Sequence, residues 1–155
     1  MIVAYITGSI SLVFCFAIIG LLINLAIKDK PFYTYLSHYN FIMNYKLNRY
    51  LGVLYFKHLL ATTFWKNFNP TLKIKKKPDQ TQLKQLRNEM TYAEISHLIA
   101  FILVIVLIII SYFTQYHNQI IPILLIANVI FHLYPALVQQ YNKRRLDKVI
   151  GKMSQ

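Results

Sequence analysis

Glu94, His97, Asn128 and His132 are the residues of this chain whose types and spacing could do chemistry. Glu94 and His97 lie in EMTYAEISH, where a long apolar run begins. At 100° per residue they are about 60° apart, on one helix face. A carboxylate that accepts the imidazole N–H would fix the ring's tautomer and raise its basicity, which is the orienting half of a general-base pair. Ionisable groups at the depth where hydrocarbon starts are costly, and they face a partner or a cavity. Glu89 is rotated from that face by more than about 80°. It reads either as favourable negative charge near a helix N-terminus or as a binding group.

A second stripe runs through NVIFHLYPALVQQYN. Measured from Asn128, His132 is about 40° round, Pro135 about −20°, Gln139 about 20° and Asn142 about −40°, if the helix continues through the proline. One reading is interhelical glue. The other is a polar cavity facing Glu94 and His97. In that cavity His97 is the base, Glu94 orients it, and His132 or Asn128 stabilises developing oxyanion charge. Arg144, Arg145 and nearby lysines would hold a donor phosphate or carboxylate. Glu89, Glu94, His97 and His132 could also supply metal ligands. Glu-x-x-His is a di-iron spacing, but such bundles carry it twice with two further carboxylates. Here it occurs once, so no metal site is assigned.

These groups must be positioned by membrane helices. The chain has 155 residues, 56% of them hydrophobic and 14% charged. Average soluble domains carry about 25% charge. Three segments satisfy the length of about 20 apolar residues needed to span: 3–27, 92–113 and 119–139. Pro122 sits in a first turn, where a missing N–H costs nothing. Pro135 lies deeper and predicts a kink or an exit from the bilayer. Cys15 reads as a buried small hydrophobe.

The 17 Lys and Arg against 5 Asp and Glu give a net charge of +12. No Lys or Arg occurs before Lys28 or between Arg87 and Lys143. The positive-inside rule then places the N-terminus outside and the C-terminus in the cytoplasm. Residues 31–69 are aromatic and apolar but broken by Lys46, Arg49 and Lys57. They read as cytoplasmic interfacial or re-entrant helices, with a fourth span as the alternative. Residues 70–88 read as a basic loop and 142–155 as a basic tail. No aromatic interleaving accompanies the basic runs, so nucleic acid is not an expected partner. The fold class is a single all-α, polytopic membrane domain.

Three motifs carry a family resemblance: FWKNFNP with Trp65, Lys66 and Pro70; EMTYAEISH with Glu89, Ala93, Glu94 and His97; and NVIFHLYPALVQQYNKRRL with Asn128, Tyr134, Pro135, Gln139, Tyr141, Asn142 and Arg145. Over about residues 60–146 the chain resembles the glycosyl-4,4'-diaponeurosporenoate acyltransferase family, small membrane proteins of carotenoid acylation. Gln140 and Lys143 stand where the family usually has arginines, and Leu98 where it has an aromatic. Arg and Lys are not interchangeable at a bidentate contact, so the acidic group recognised can differ.

The resemblance implies an acyltransferase acting on a lipid or glycolipid hydroxyl, and the charge asymmetry puts that site at the cytoplasmic leaflet of what reads as a bacterial inner membrane. With it go expected substrate contacts from Glu89, Gln139, Tyr141, Asn142, Arg145, Trp65 and Lys66, and from Arg144 at the cationic rim. No cofactor is assigned, and an acyl donor such as acyl-CoA is compatible. The expected partners are membrane lipids and an amphiphilic lipid substrate, with room for a membrane protein partner or a second copy. The rival readings are a non-catalytic membrane subunit, a metal-dependent membrane enzyme and a lipid carrier.

Overall fold

The computed structural model describes residues 2–63 and 79–153. Those residues are helical, with no strand among them. The helices are α1 (Ile2–Ile27), α2 (Tyr33–His38), α3 (Tyr45–Tyr50), α4 (Val53–Thr62), α5 (Gln80–Thr114), α6 (Ile121–Asn128) and α7 (Tyr134–Met153). A 3-10 turn, Asn118–Ile120, leads into α6, and a π turn, Val129–Leu133, joins α6 to α7 without a break. Three helical stretches are long and apolar enough to cross a membrane: Ile2–Ile27, Gln80–Thr114 and Asn118–Met153. The protein is therefore an integral membrane protein of the all-α class. Helices α2, α3 and α4 have 6, 6 and 10 residues, each too short to span. Among the described residues there is no fourth crossing.

α1 is apolar all round, as a membrane span should be. Its buried residues are Ser9, Val13, Gly20 and Asn24, spaced 4, 7 and 4 along one face. Small residues on such a face let backbones approach, and polar ones bond across. Asn24 Nδ2 donates to the Tyr92 carbonyl and to Ser96 Oγ of α5, both at 2.9 Å. A Cβ on Gly20 would stand 2.6 Å from the Ser96 carbonyl oxygen and 3.0 Å from Ala100 Cβ and backbone N. These are rigid backbone neighbours. Gly20→Ala should therefore separate α1 from α5, at a cost of about 1–3 kcal/mol. A lower unfolding temperature in detergent checks this. Cys15, expected to be buried, is exposed on α1, because it lies off that face.

α5 is longer than the expected span of 92–113. Asp79 caps it, its side chain accepting from Gln82 N at 2.7 Å. Leu83, Leu86 and Met90 recur every three or four residues and are buried. Residues 80–88, expected as part of a basic loop, thus form the first turns of a helix packed on α7 and α2. Residues 70–78 of that loop lie outside the described residues. Residues 142–153 of the expected basic tail likewise continue α7 as helix.

The bundle has two distinct ends. Tyr5 of α1 bonds to Gln119, joining the N-terminal end of α1 to the link between α5 and α6. The other end carries α2, α3, α4 and the C-terminal half of α7, with every described Lys and Arg. Between them lies a core of Val13, Val104, Leu124 and Ala127, flanked by Phe16, Leu107 and Phe131.

Candidate functional site

The π turn decides which side chains of the third span face α5. Pro135 has no N–H, and its ring would press on the carbonyl four residues back. The chain widens just before it: the Tyr134 N–H bonds the Val129 carbonyl five residues earlier. One extra residue in that turn makes every later residue lag by about 100°. Gln140 and Lys143 therefore take the angles expected for Gln139 and Asn142. Asn128, His132, Ala136, Gln140 and Lys143 are buried, while Gln139 and Asn142 are half-buried beside the stripe.

Glu94 is the centre of a dry ionic network. It is 2% exposed, and Lys143 is 0% exposed. Lys143 Nζ donates to Glu94 Oε2 at 2.5 Å, and Gln140 Nε2 donates to Glu94 Oε1 at 3.0 Å. Gln140 Oε1 in turn accepts from the backbone N–H groups of Phe41 and Ile42, at 3.0 and 3.1 Å. One side chain thus ties α5, α7 and the α2–α3 linker together. The expected Glu94–His97 hydrogen bond is not made. An ammonium and an amide donor of α7 reach the carboxylate first, so the two stripes are in direct contact at this level. Gln140→Leu removes the acceptor for both linker N–H groups. Faster amide hydrogen exchange at Phe41 and Ile42, with α5 unchanged, is the expected result.

One turn further along α5, His97 meets His132. Their ring centroids are 5.9 Å apart and the planes are inclined by 45°. His132 is 1% exposed, and its Nε2 lies 3.1 Å from the backbone carbonyl of Val13 in α1. A carbonyl only accepts, so Nε2 carries the proton. Nδ1 of the neutral ring is then a lone-pair acceptor, and it is buried without a partner among the described residues. Neither ring nitrogen of the half-buried His97 is hydrogen-bonded among the described residues. Asn128, 0% exposed, donates from Nδ2 to the Phe101 carbonyl at 3.2 Å, and its Oδ1 has no partner among the described residues. Unsatisfied acceptors buried at membrane depth are costly, so a hydrogen-bond donor brought to either would be stabilising.

The remaining expected residues fall into three groups. Glu89 is exposed and accepts from Gln85 Nε2 at 3.2 Å, apart from the histidines. Tyr141, Arg144 and Arg145 line a groove of about 360 Å³ with Met43, Tyr45 and Lys148. Trp65 and Lys66 lie outside the described residues. No group of three or more His, Cys, Asp or Glu side chains converges as metal ligands among the described residues. Glu94 and His132 already have partners elsewhere. Reading the sequence missed Gln140, Lys143 and the Val13 carbonyl. Two of these had a signal, since Gln140 and Lys143 are where the expected arginines are replaced. A backbone oxygen leaves none.

The family model described as glycosyl-4,4'-diaponeurosporenoate acyltransferase matches residues 29–152, from just before α2 almost to the end of α7. No curated protein and no solved structure matches the chain.

Proposed function

Since the chain belongs to the glycosyl-4,4'-diaponeurosporenoate acyltransferase family, we infer that it is an enzyme moving an acyl group from an activated donor to a hydroxyl of a lipid-linked acceptor. The observation that carries this reading is the histidine pair, held between membrane helices with His132 buried and anchored by the Val13 carbonyl.

In this reading His97 is the base. An N–H of His97 turns onto His132 Nδ1, leaving its other nitrogen for the acceptor hydroxyl. His132, fixed by Val13, takes the orienting role expected of Glu94. The hydroxyl proton passes to His97 as the oxygen attacks the acyl carbonyl carbon. The tetrahedral intermediate collapses, the bond from the acyl carbon to the donor breaks, and His97 returns the proton to the leaving group. The 5.9 Å ring separation is that of a waiting site, and catalytic hydrogen bonds commonly tighten only with substrate bound. Positive-inside asymmetry favours the cytoplasmic leaflet of a bacterial inner membrane as the place of reaction.

Radiolabelled acyl donors incubated with the purified protein and bacterial lipids test the reading. Label should move to a hydroxyl-bearing lipid, and no transfer from any thioester or lipid donor would overturn it. A second reading is a non-catalytic membrane subunit. It is favoured by the Glu94–Gln140–Lys143 network, which is buried and joins α5 to α7 like a scaffold contact.

A further inference from the structure

The groove of about 360 Å³ opens at the basic end of the bundle, between the α2–α3 linker, the start of α3, and α7. Its walls carry Arg144, Arg145 and Lys148, with Tyr45, Tyr141 and Met43. Lys57 of α4 reaches the same place, its Nζ 5.1 Å from the centre of the Tyr141 ring; the Arg145 guanidinium is 6.0 Å from that centre. The nearby carboxylates are already engaged. Glu94 is paired with Lys143, and Asp147 with Arg87 at 2.5 Å. Arg144, Arg145, Lys148 and Lys57 form no ion pair among the described residues. Arg144 Nε is buried with no hydrogen-bond partner among the described residues. Burial, with the Arg145 charge adding to it, pushes the Lys57 pKa below the usual lysine range. Lys57 and Arg145 repel one another, no carboxylate is paired with any of the four cations among the described residues, and a bound anion would relieve them.

We propose that this groove binds a phosphate group of an amphiphile or acyl carrier, with Arg144 and Arg145 on the phosphate oxygens and Tyr45, Tyr141 and Met43 against its less polar part. A lone carboxylate would satisfy one arginine fork. Two guanidiniums with two ammoniums match the several oxygens and higher charge of a phosphate. The site does not depend on chemistry at the histidines. If the acyl-transfer reading also holds, the two places constrain the donor. Arg144 and His132 are 12 residues apart on one continuous helix, about 18 Å at 1.5 Å per residue. A phosphate in the groove and a carbonyl at His97 must then be joined by an arm of that order. An acyl phosphate is too short, and a carrier with a long flexible arm fits.

The test uses the full chain in phosphatidylcholine nanodiscs, with coenzyme A as one probe and added phosphatidylglycerol as the other, read by native mass spectrometry. We expect one probe to bind, and Arg144→Gln/Arg145→Gln to weaken it at least tenfold, while His97→Ala leaves binding within twofold. Bound coenzyme A identifies a soluble carrier's phosphate. Retained phosphatidylglycerol that coenzyme A does not displace identifies a lipid headgroup. Lys148→Gln, expected to weaken binding severalfold, serves if the double variant loses its fold. Neither probe binding, or binding indifferent to all groove variants, overturns the proposal. Binding without acyl transfer would leave this site standing and remove only the reaction assigned to the histidines.

Discussion

His97→Ala is expected to lower acyl transfer by about 10²–10⁴-fold, the usual contribution of a positioned general base. The protein should fold as before, because His97 is half-buried and makes no hydrogen bond among the described residues. Helical circular dichroism and the unfolding temperature would therefore match wild type while the rate falls. His132→Gln should give a smaller loss, because an amide can still reach the Val13 carbonyl but places its acceptor differently. Single-turnover assays at saturating donor separate this from weakened binding. Equal rates for His97→Ala and wild type would remove His97 from the chemistry.

The second large effect is on stability. Glu94→Ala leaves the Lys143 ammonium buried and uncompensated, and breaking a buried pair in this way costs about 3–5 kcal/mol. Glu94→Leu together with Lys143→Met should recover most of that loss, since replacing both partners by apolar groups is often neutral. Urea or thermal unfolding of Glu94→Leu, of Lys143→Met and of the double gives the coupling directly. The same variants bear on function. If Glu94 acts only through packing, the stable double variant keeps transfer within about tenfold of wild type. If it touches the reaction, transfer disappears although the fold returns. Gln140 stays in the double variant and continues to hold Phe41 and Ile42, so the α2–α3 linker is not lost with the charge.

The spans were legible because hydropathy and length suffice for them, and the clustering of Lys and Arg told which loops share an end. The shared face of Glu94 and His97 was legible from their spacing. Which partner Glu94 takes was not, because that depends on a register set elsewhere. Pro135 announced a distortion, but a kink and an added residue look alike in sequence. The added residue turns Gln140 and Lys143 inward in place of Gln139 and Asn142. Residues 80–88 misled for a different reason: their charges are conspicuous, while Leu83, Leu86 and Met90, the helical signal, are sparse. The aromatic α2–α4 segment carried no span signal, and it forms short helices held to α7 by Tyr134 Oη donating to the Leu51 carbonyl at 3.0 Å.

The Val13 carbonyl has a consequence for how the gene could be cut. The family match starts at residue 29, after α1, and contains every motif that carries the resemblance. A shortened polypeptide starting there would keep both histidines yet lose the main-chain oxygen that sets the proton on His132. Any residue type at position 13 brings that oxygen, so mutagenesis of the Val13 side chain would test only its packing. The first helix acts here as a peptide-bond ligand, and its contribution is inherited through shape rather than through letters of the sequence.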